Sequence, residues 1–311
     1  MKKLFLLGFL LIFSSLLFAQ EKEFVLRTST GNIYGTMTVP KNKKTMPLVL
    51  FIAGSGPTDR DCNQPTLKTN AFKMLSDSLS HYGIASLRFD KRGIAASVAA
   101  GGKEEDLRFE HYIDDVKSWI DTLKTDSRFS EIVVMGHSEG SLIGMIACEN
   151  NSKVSKYISI SGVAISADKI IKEQLANQPA MIKDAAFPIL DNLKAGKTLS
   201  DVPQMLYSLF RPSVQPYMIS WMKYNPQDEI KKLAIPILII QGTTDIQVSE
   251  SQADLLHSVS KKSSLCKIEN MNHVLKTCKT TELTTQMTTY TSPDFPLADG
   301  LVKVIIDFVK K

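Results

Sequence analysis

Residues 131–149 read EIVVMGHSEGSLIGMIACE, and the rest of the chain can be placed around them. The short apolar run Ile132-Val133-Val134-Met135 is β-branched and of a length that suits a buried strand. Gly136-His137-Ser138-Glu139-Gly140 interrupts it, and Leu142, Ile143, Ile146 and Ala147 then recur at helical spacing. A strand that turns into a helix at Gly-x-Ser-x-Gly is the pattern of a nucleophile elbow. The two glycines answer a steric demand, because strand and helix cross too closely for a Cβ. Ser138 is then held at the turn with its hydroxyl exposed. The helix N-terminus and the Glu139 backbone N–H favour negative charge on a carbonyl oxygen bound there.

Outward from this stretch, apolar runs alternate with amphipathic helical patterns. Phe24–Thr28 and Ile33–Val39 flank Ser-Thr-Gly-Asn and read as a hairpin. Pro47–Ala53, Ile84–Phe89, Tyr157–Ser161, Ile235–Gln241 and Ser264–Ile268 read as strands. Helical spacing covers Thr66–Tyr82, Phe109–Leu123, Val248–Val259 and Gly300–Lys310. The rhythm predicts one α/β domain over residues 20–311, with a mainly parallel sheet wrapped on both faces. It breaks between Val163 and Leu233, where prolines punctuate helical stretches rich in methionine and aromatic residues. That segment reads as a helical cap at about 163–233, with ordinary crossover helices as the alternative. Lys276–Ser292 is polar, threonine-rich and too long for a simple connection.

The N-terminus has a basic start, an apolar run from Leu4 to Phe13 and a small residue at Ala19, which together describe a signal peptide over 1–19. The apolar part is too short for a retained membrane anchor. A mature chain beginning near Gln20, periplasmic or secreted, is expected. Losing Lys2 and Lys3 lowers the formal net charge of +5 by two. No basic cluster with interleaved aromatics points to nucleic acid. Four cysteines (Cys62, Cys148, Cys266 and Cys278) permit disulfides in an exported chain but match no zinc spacing. Cys148 falls on a buried helix face and reads as a reduced core thiol. Neither a metal nor an organic cofactor is implied.

A serine hydroxyl needs a base, and the base a carboxylate to orient it. Of five histidines, His273 lies in the loop after the last strand, where it can reach the carboxyl ends of parallel strands. His137 adjoins the serine on the wrong face of the turn and is expected to support the loop. Asp245 directly follows a strand, one helix and one strand before His273. The order Ser138, Asp245, His273 is that of the α/β-hydrolases.

The sequence resembles an α/β-hydrolase across this whole span. Gly54-Ser55-Gly56-Pro57-Thr58-Asp59-Arg60-Asp61, the elbow, and Tyr290-Thr291-Ser292-Pro293-Asp294-Phe295-Pro296-Leu297 resemble bacterial carboxylesterases of the EstD type. The resemblance implies an α/β-hydrolase fold and an oxyanion hole formed by the backbone N–H groups of Ser55 and Glu139. Asp90-Lys91-Arg92-Gly93 matches a turn that the family usually continues as Gly-x-Gly-x-Ser; Ala95 stands where the second glycine belongs. Hydrolysis of small carboxylic esters through an acyl-enzyme is the expectation, with Arg60, Phe210 and Trp221 as substrate-contact candidates. A prolyl-oligopeptidase-like peptidase and a non-catalytic binding protein on the same fold are the rivals. The acyl and alcohol groups, oligomeric state and cysteine pairing stay open at this level.

Overall fold

A computed structural model describes residues 19–41 and 43–311. The signal-peptide reading, but for Ala19, lies outside the described residues. Ala19 already belongs to the first strand, β1 (Ala19–Thr28), which pairs antiparallel with β2 (Gly31–Pro40). Then come β3 (Met46–Ile52), α1 (Ala71–His81), β4 (Ala85–Phe89), α2 (Phe109–Lys124), β5 (Phe129–His137), α3 (Glu139–Cys148) and β6 (Lys156–Ile160). Five helices follow with no intervening strand: α4 (Ala167–Leu175), α5 (Ala180–Lys194), α6 (Tyr207–Phe210), α7 (Gln215–Trp221) and α8 (Pro226–Lys231). The chain closes with β7 (Ile237–Gly242), α9 (Glu250–Val259), β8 (Ser263–Ile268), α10 (Leu283–Thr291) and α11 (Leu301–Lys310).

The eight strands form one sheet in the order β1-β2-β4-β3-β5-β6-β7-β8, parallel from β4 to β8. Strand alternation explains why the central strands are apolar throughout. In β5, Ile132 and Val134 enter the core on one face while Val133 and Met135 enter the core on the other. The first face is covered by α2, whose Trp119 is fully buried and lies 5.9 Å from the ring of Phe24 and 5.7 Å from that of Phe89. The second face is covered by α1 through Phe72, Leu75 and Leu79, and by α11 through Leu301, Ile305 and Val309. Deleting a side chain such as Trp119 would cost about 3–5 kcal/mol.

Helix α1 and the threonine-rich segment depart from the periodic reading. Helix α1 begins at Ala71 rather than near Thr66, because the Asn63 side-chain Oδ1 accepts from the backbone N–H groups of Thr69 and Asn70 (2.8 and 3.0 Å). Asn70 then turns through a left-handed conformation, φ 48°, before the helix starts. The threonine-rich segment contains α10, whose first N–H groups are capped by the Glu282 carboxylate at 2.7–2.8 Å. Among the described residues no helix is long and apolar enough to cross a membrane. All four cysteines are unpaired, and Cys148 is buried on α3.

Candidate active site

The centre of the site is the crossing of β5 into α3. A Cβ on Gly136 would lie 2.1 Å from the Gly140 carbonyl oxygen, and one on Gly140 would lie 2.4 Å from that of Ile52. No side chain fits at either position, so the helix can approach the sheet only through glycine. Ser138, at the apex, has φ 55° and ψ −123°, a conformation that costs a non-glycine residue about 1–3 kcal/mol. Its N–H donates to the Ile160 carbonyl at 3.0 Å, which ties the turn to β6. Glu139 is the first residue of α3, so its N–H is one of the helix-end donors that have no partner within the helix.

His273 and Asp245 are brought together from the loops after β8 and β7. The His273 Nδ1–H donates to Asp245 Oδ2 at 2.8 Å. Asp245 Oδ1 accepts from the N–H groups of Gln247 and Val248 at 2.8 and 2.9 Å, and Gln241 Nε2 donates to Oδ2 at 3.2 Å. Burial alone would raise the pKa of this carboxyl. The His273 ring and these hydrogen bonds outweigh it, and hold the group below the usual carboxylate range. Ser138 and His273 line the same cavity, about 70 Å³, with Gly54, Ser55, Cys62, Gln247 and Tyr290.

His137 borders the same cavity but has a different partner. Its Nε2–H donates to the His273 backbone carbonyl at 2.8 Å, and burial with the neighbouring His273 lowers its pKa to about 3. It is a neutral strut under the His273 loop. Helix α10 supplies the other strut, which the sequence did not indicate. The Asn272 side-chain amide donates to Gln286 Oε1 (3.1 Å) and Thr289 Oγ1 (2.6 Å). Gln286 Nε2 donates to the Thr244 carbonyl (2.9 Å), and Gln247 Nε2 to the Tyr290 hydroxyl (3.0 Å). One helix thus braces the loops that carry both Asp245 and His273. The available signal was Glu282, two and three residues ahead of Thr284 and Thr285, in a helix-capping arrangement.

The substrate-contact candidates fare differently. Trp221 lines a narrow apolar slot beside Ser138 with Leu142, Ile165, Ile170 and Pro226. Phe210 does not: it is fully buried in the core of the helical segment, so its position there is one of packing. Arg60 also departs from expectation. Its guanidinium pairs with Asp90 at 2.6 Å and reaches Thr36, away from the cavities around Ser138. A salt bridge to a carboxylate that is 3% exposed is a tether between two loops. Asp168, on α4, faces Lys194 at 3.4 Å.

Asp90-Lys91-Arg92-Gly93 also takes on definite work. Arg92 forms a two-pronged pair with Asp115 of α2 (2.5 and 2.7 Å). Ala95 adopts φ 45°, the left-handed region for which glycine is suited, so the loop keeps its path at some strain. Lys91 is 2% exposed; its ammonium donates to the Gly54 carbonyl at 2.6 Å and lies 3.3 Å from Glu139 Oε1. A larger cavity, about 630 Å³, opens on this side between Pro57, Lys91, Glu139, Tyr112, Arg211 and Tyr217. Among the described residues no group of histidine, cysteine and carboxylate side chains is set to hold a metal ion.

Comparison with known proteins agrees with this architecture. A family model described as serine aminopeptidase, S33, matches residues 68–209. Esterase EstD of Thermotoga maritima is 27% identical over 256 residues, which cover 79% of this chain and 59% of that protein. The match therefore spans less than two thirds of the relative's length. Among solved structures, Est1E from Butyrivibrio proteoclasticus with bound ferulic acid superposes with TM-score 0.60 at 18% identity, over 90% of this chain and 93% of that one. The α/β hydrolase GrgF from Penicillium sp. sh18 gives 0.61 at 15% identity, over 94% and 98%. With a parallel sheet, a strained Gly-x-Ser-x-Gly crossing and an acid and histidine on the following loops, the chain has the α/β-hydrolase fold.

Proposed function

We propose that the protein is an exported serine esterase that cleaves small carboxylic esters through an acyl-enzyme on Ser138. The observation that carries the reading is the His273–Asp245 hydrogen bond at 2.8 Å, opening on the cavity that Ser138 lines. Because Nδ1–H is committed to Asp245, His273 Nε2 is the nitrogen left to take a proton. Ser138 Oγ attacks the ester carbonyl carbon, its proton passes to Nε2, and the carbonyl π electrons move onto oxygen. The N–H groups of Ser55 and Glu139 receive that oxyanion. Collapse breaks the bond to the alcohol oxygen, which leaves with the proton from Nε2. Water then repeats the sequence against the acyl-enzyme and releases the acid. The similarity to an esterase of Thermotoga maritima supports the choice of bond. Export rests on residues 1–19, and N-terminal sequencing of the mature protein should find a start near Gln20.

The test is a panel of acyl esters beside aminoacyl amides, with Ser138→Ala and a fluorophosphonate label. Esters should be turned over and amides not. The label should attach to wild type alone, and Ser138→Ala should lose turnover by a factor on the order of 10⁶. Faster cleavage of amides than of esters would replace the esterase by a peptidase. Absence of labelling in wild type would leave a binding protein.

A further inference from the structure

We infer that Lys91 is the positioning residue of the oxyanion hole, acting on both of its donors; the inference rests on the acyl-transfer reading above. Lys91 follows β4 and makes no contact that catalysis of acyl transfer requires directly. Its buried ammonium instead joins the two backbone segments that carry the donors.

The first contact, to the Gly54 carbonyl at 2.6 Å, acts on Ser55. That carbonyl and the Ser55 N–H belong to one planar peptide, and no cis peptide bond occurs among the described residues. In a trans peptide the C=O and N–H point in opposite directions, so holding the oxygen aims the N–H. An ammonium on the oxygen also polarises the peptide and strengthens its N–H as a donor. The second contact, to the Glu139 carboxylate at 3.3 Å, acts on the residue whose own N–H is the other donor. The tolerance for error is small. A Cβ on Gly54 would already lie 3.1 Å from Ser138 Cβ, so a shift of this loop changes the distance between nucleophile and donors.

Stability alone does not account for such a pair. A buried lysine and glutamate lose their hydration, and well-packed apolar side chains usually hold a fold equally well. Tyr112 packs its ring 4.9 Å from the ammonium, which leaves the lysine little freedom to turn elsewhere. Burial, two directed contacts and a ring that confines the ammonium are what orienting a peptide requires.

The decisive experiment compares Lys91→Met with the double variant Lys91→Met/Glu139→Leu, which removes the carboxylate that the single change would strand. Both are assayed on p-nitrophenyl acetate, and their inhibition by a trifluoromethyl ketone, which forms a tetrahedral oxyanion on the serine, is measured. In Lys91→Met, kcat should fall about 100-fold with KM within about twofold, the loss expected when one oxyanion donor is misplaced. The inhibition constant of the ketone should rise by a similar factor. The double variant should regain thermal stability while kcat stays low. A loss of folded protein would lower kcat and leave the inhibition constant unchanged; that result, or recovery of kcat in the double variant, overturns the assignment. Ser138→Ala, run alongside, separates the two readings. If it keeps its turnover, acyl transfer on Ser138 falls and takes Lys91's role with it. If it is inactive while the ketone binds Lys91→Met as it binds wild type, only the role of Lys91 falls.

Discussion

The elbow and the helical segment between β6 and β7 meet at Ser138, yet they are held by different means. At the elbow, backbone faces backbone with no room for a side chain: Gly136 against Gly140, and Gly140 against Ile52. A Cβ at Gly136 or Gly140 would overlap that backbone. The helical segment is held by side chains, with Phe210, Leu190 and Leu193 inside, while Met181, Met205, Tyr207 and Leu209 remain in contact with solvent. Beside the serine it contributes a wall that includes Trp221, Ile165, Ile170 and Pro226. On the proposed function, chemistry is placed where the backbone is constrained, and the fit to substrate where side chains can repack. Substitutions in the first region should act on rate. Those in the second should act on selectivity or on stability.

The largest expected effect is at the rigid side. Asp245→Asn keeps the shape of the side chain but no longer holds the His273 Nδ1–H, so the histidine takes the wrong tautomer. A fall in kcat of about 10⁴ with little change in KM is the outcome expected from steady-state kinetics. A loss of less than tenfold would move the orienting role away from Asp245 and break the contrast at its strongest point.

Two aromatic residues of the helical segment give the next test. Phe210→Ala empties a fully buried site and should destabilise the protein by about 3–5 kcal/mol, read as a lower Tm or denaturant midpoint. Its preference for acyl length should stay that of wild type. Trp221→Ala widens the slot beside Ser138 and should shift the preferred acyl chain to a longer one. Each methylene newly accommodated there is worth roughly 0.8 kcal/mol. Exchange of the two phenotypes would show that the wall has been assigned to the wrong ring.

The smallest effect lies where the two regions are joined. Glu149, after α3, faces Glu229 of α8 with Lys232 at 3.4 Å, and burial plus the neighbouring Glu229 raises its pKa to about 7. The folded protein then binds more protons than the unfolded chain between about pH 4.5 and pH 7. Stability from this group is complete below that window and is lost as pH rises through it. Glu149→Gln should raise Tm by about 2 °C at pH 8. The gain should vanish at pH 4, and thermal melts at the two pH values are sufficient to check it.

The sequence by itself determined the parallel core and the order of the site, for a local reason. An apolar run of seven residues ending in Gly-Ser-Gly, or a strand running into Gly-x-Ser-x-Gly, constrains its own backbone wherever it lies in the chain. Ser138, Asp245 and His273 were legible because each lies on the turn or loop that follows a strand, and the carboxyl ends of parallel strands share one edge of the sheet. Tertiary structure alone decided which polar groups serve that edge. Lys91 gains its meaning from Gly54 and Glu139, which are 37 and 48 positions away. The threonine-rich helix gains its own from Asn272 and Thr244. It likewise turned Phe210 inward, Trp221 toward the serine and Arg60 toward Asp90. Side-chain type and spacing carry no sign for such choices, because partners distant in sequence meet only after the sheet and the helical segment have packed.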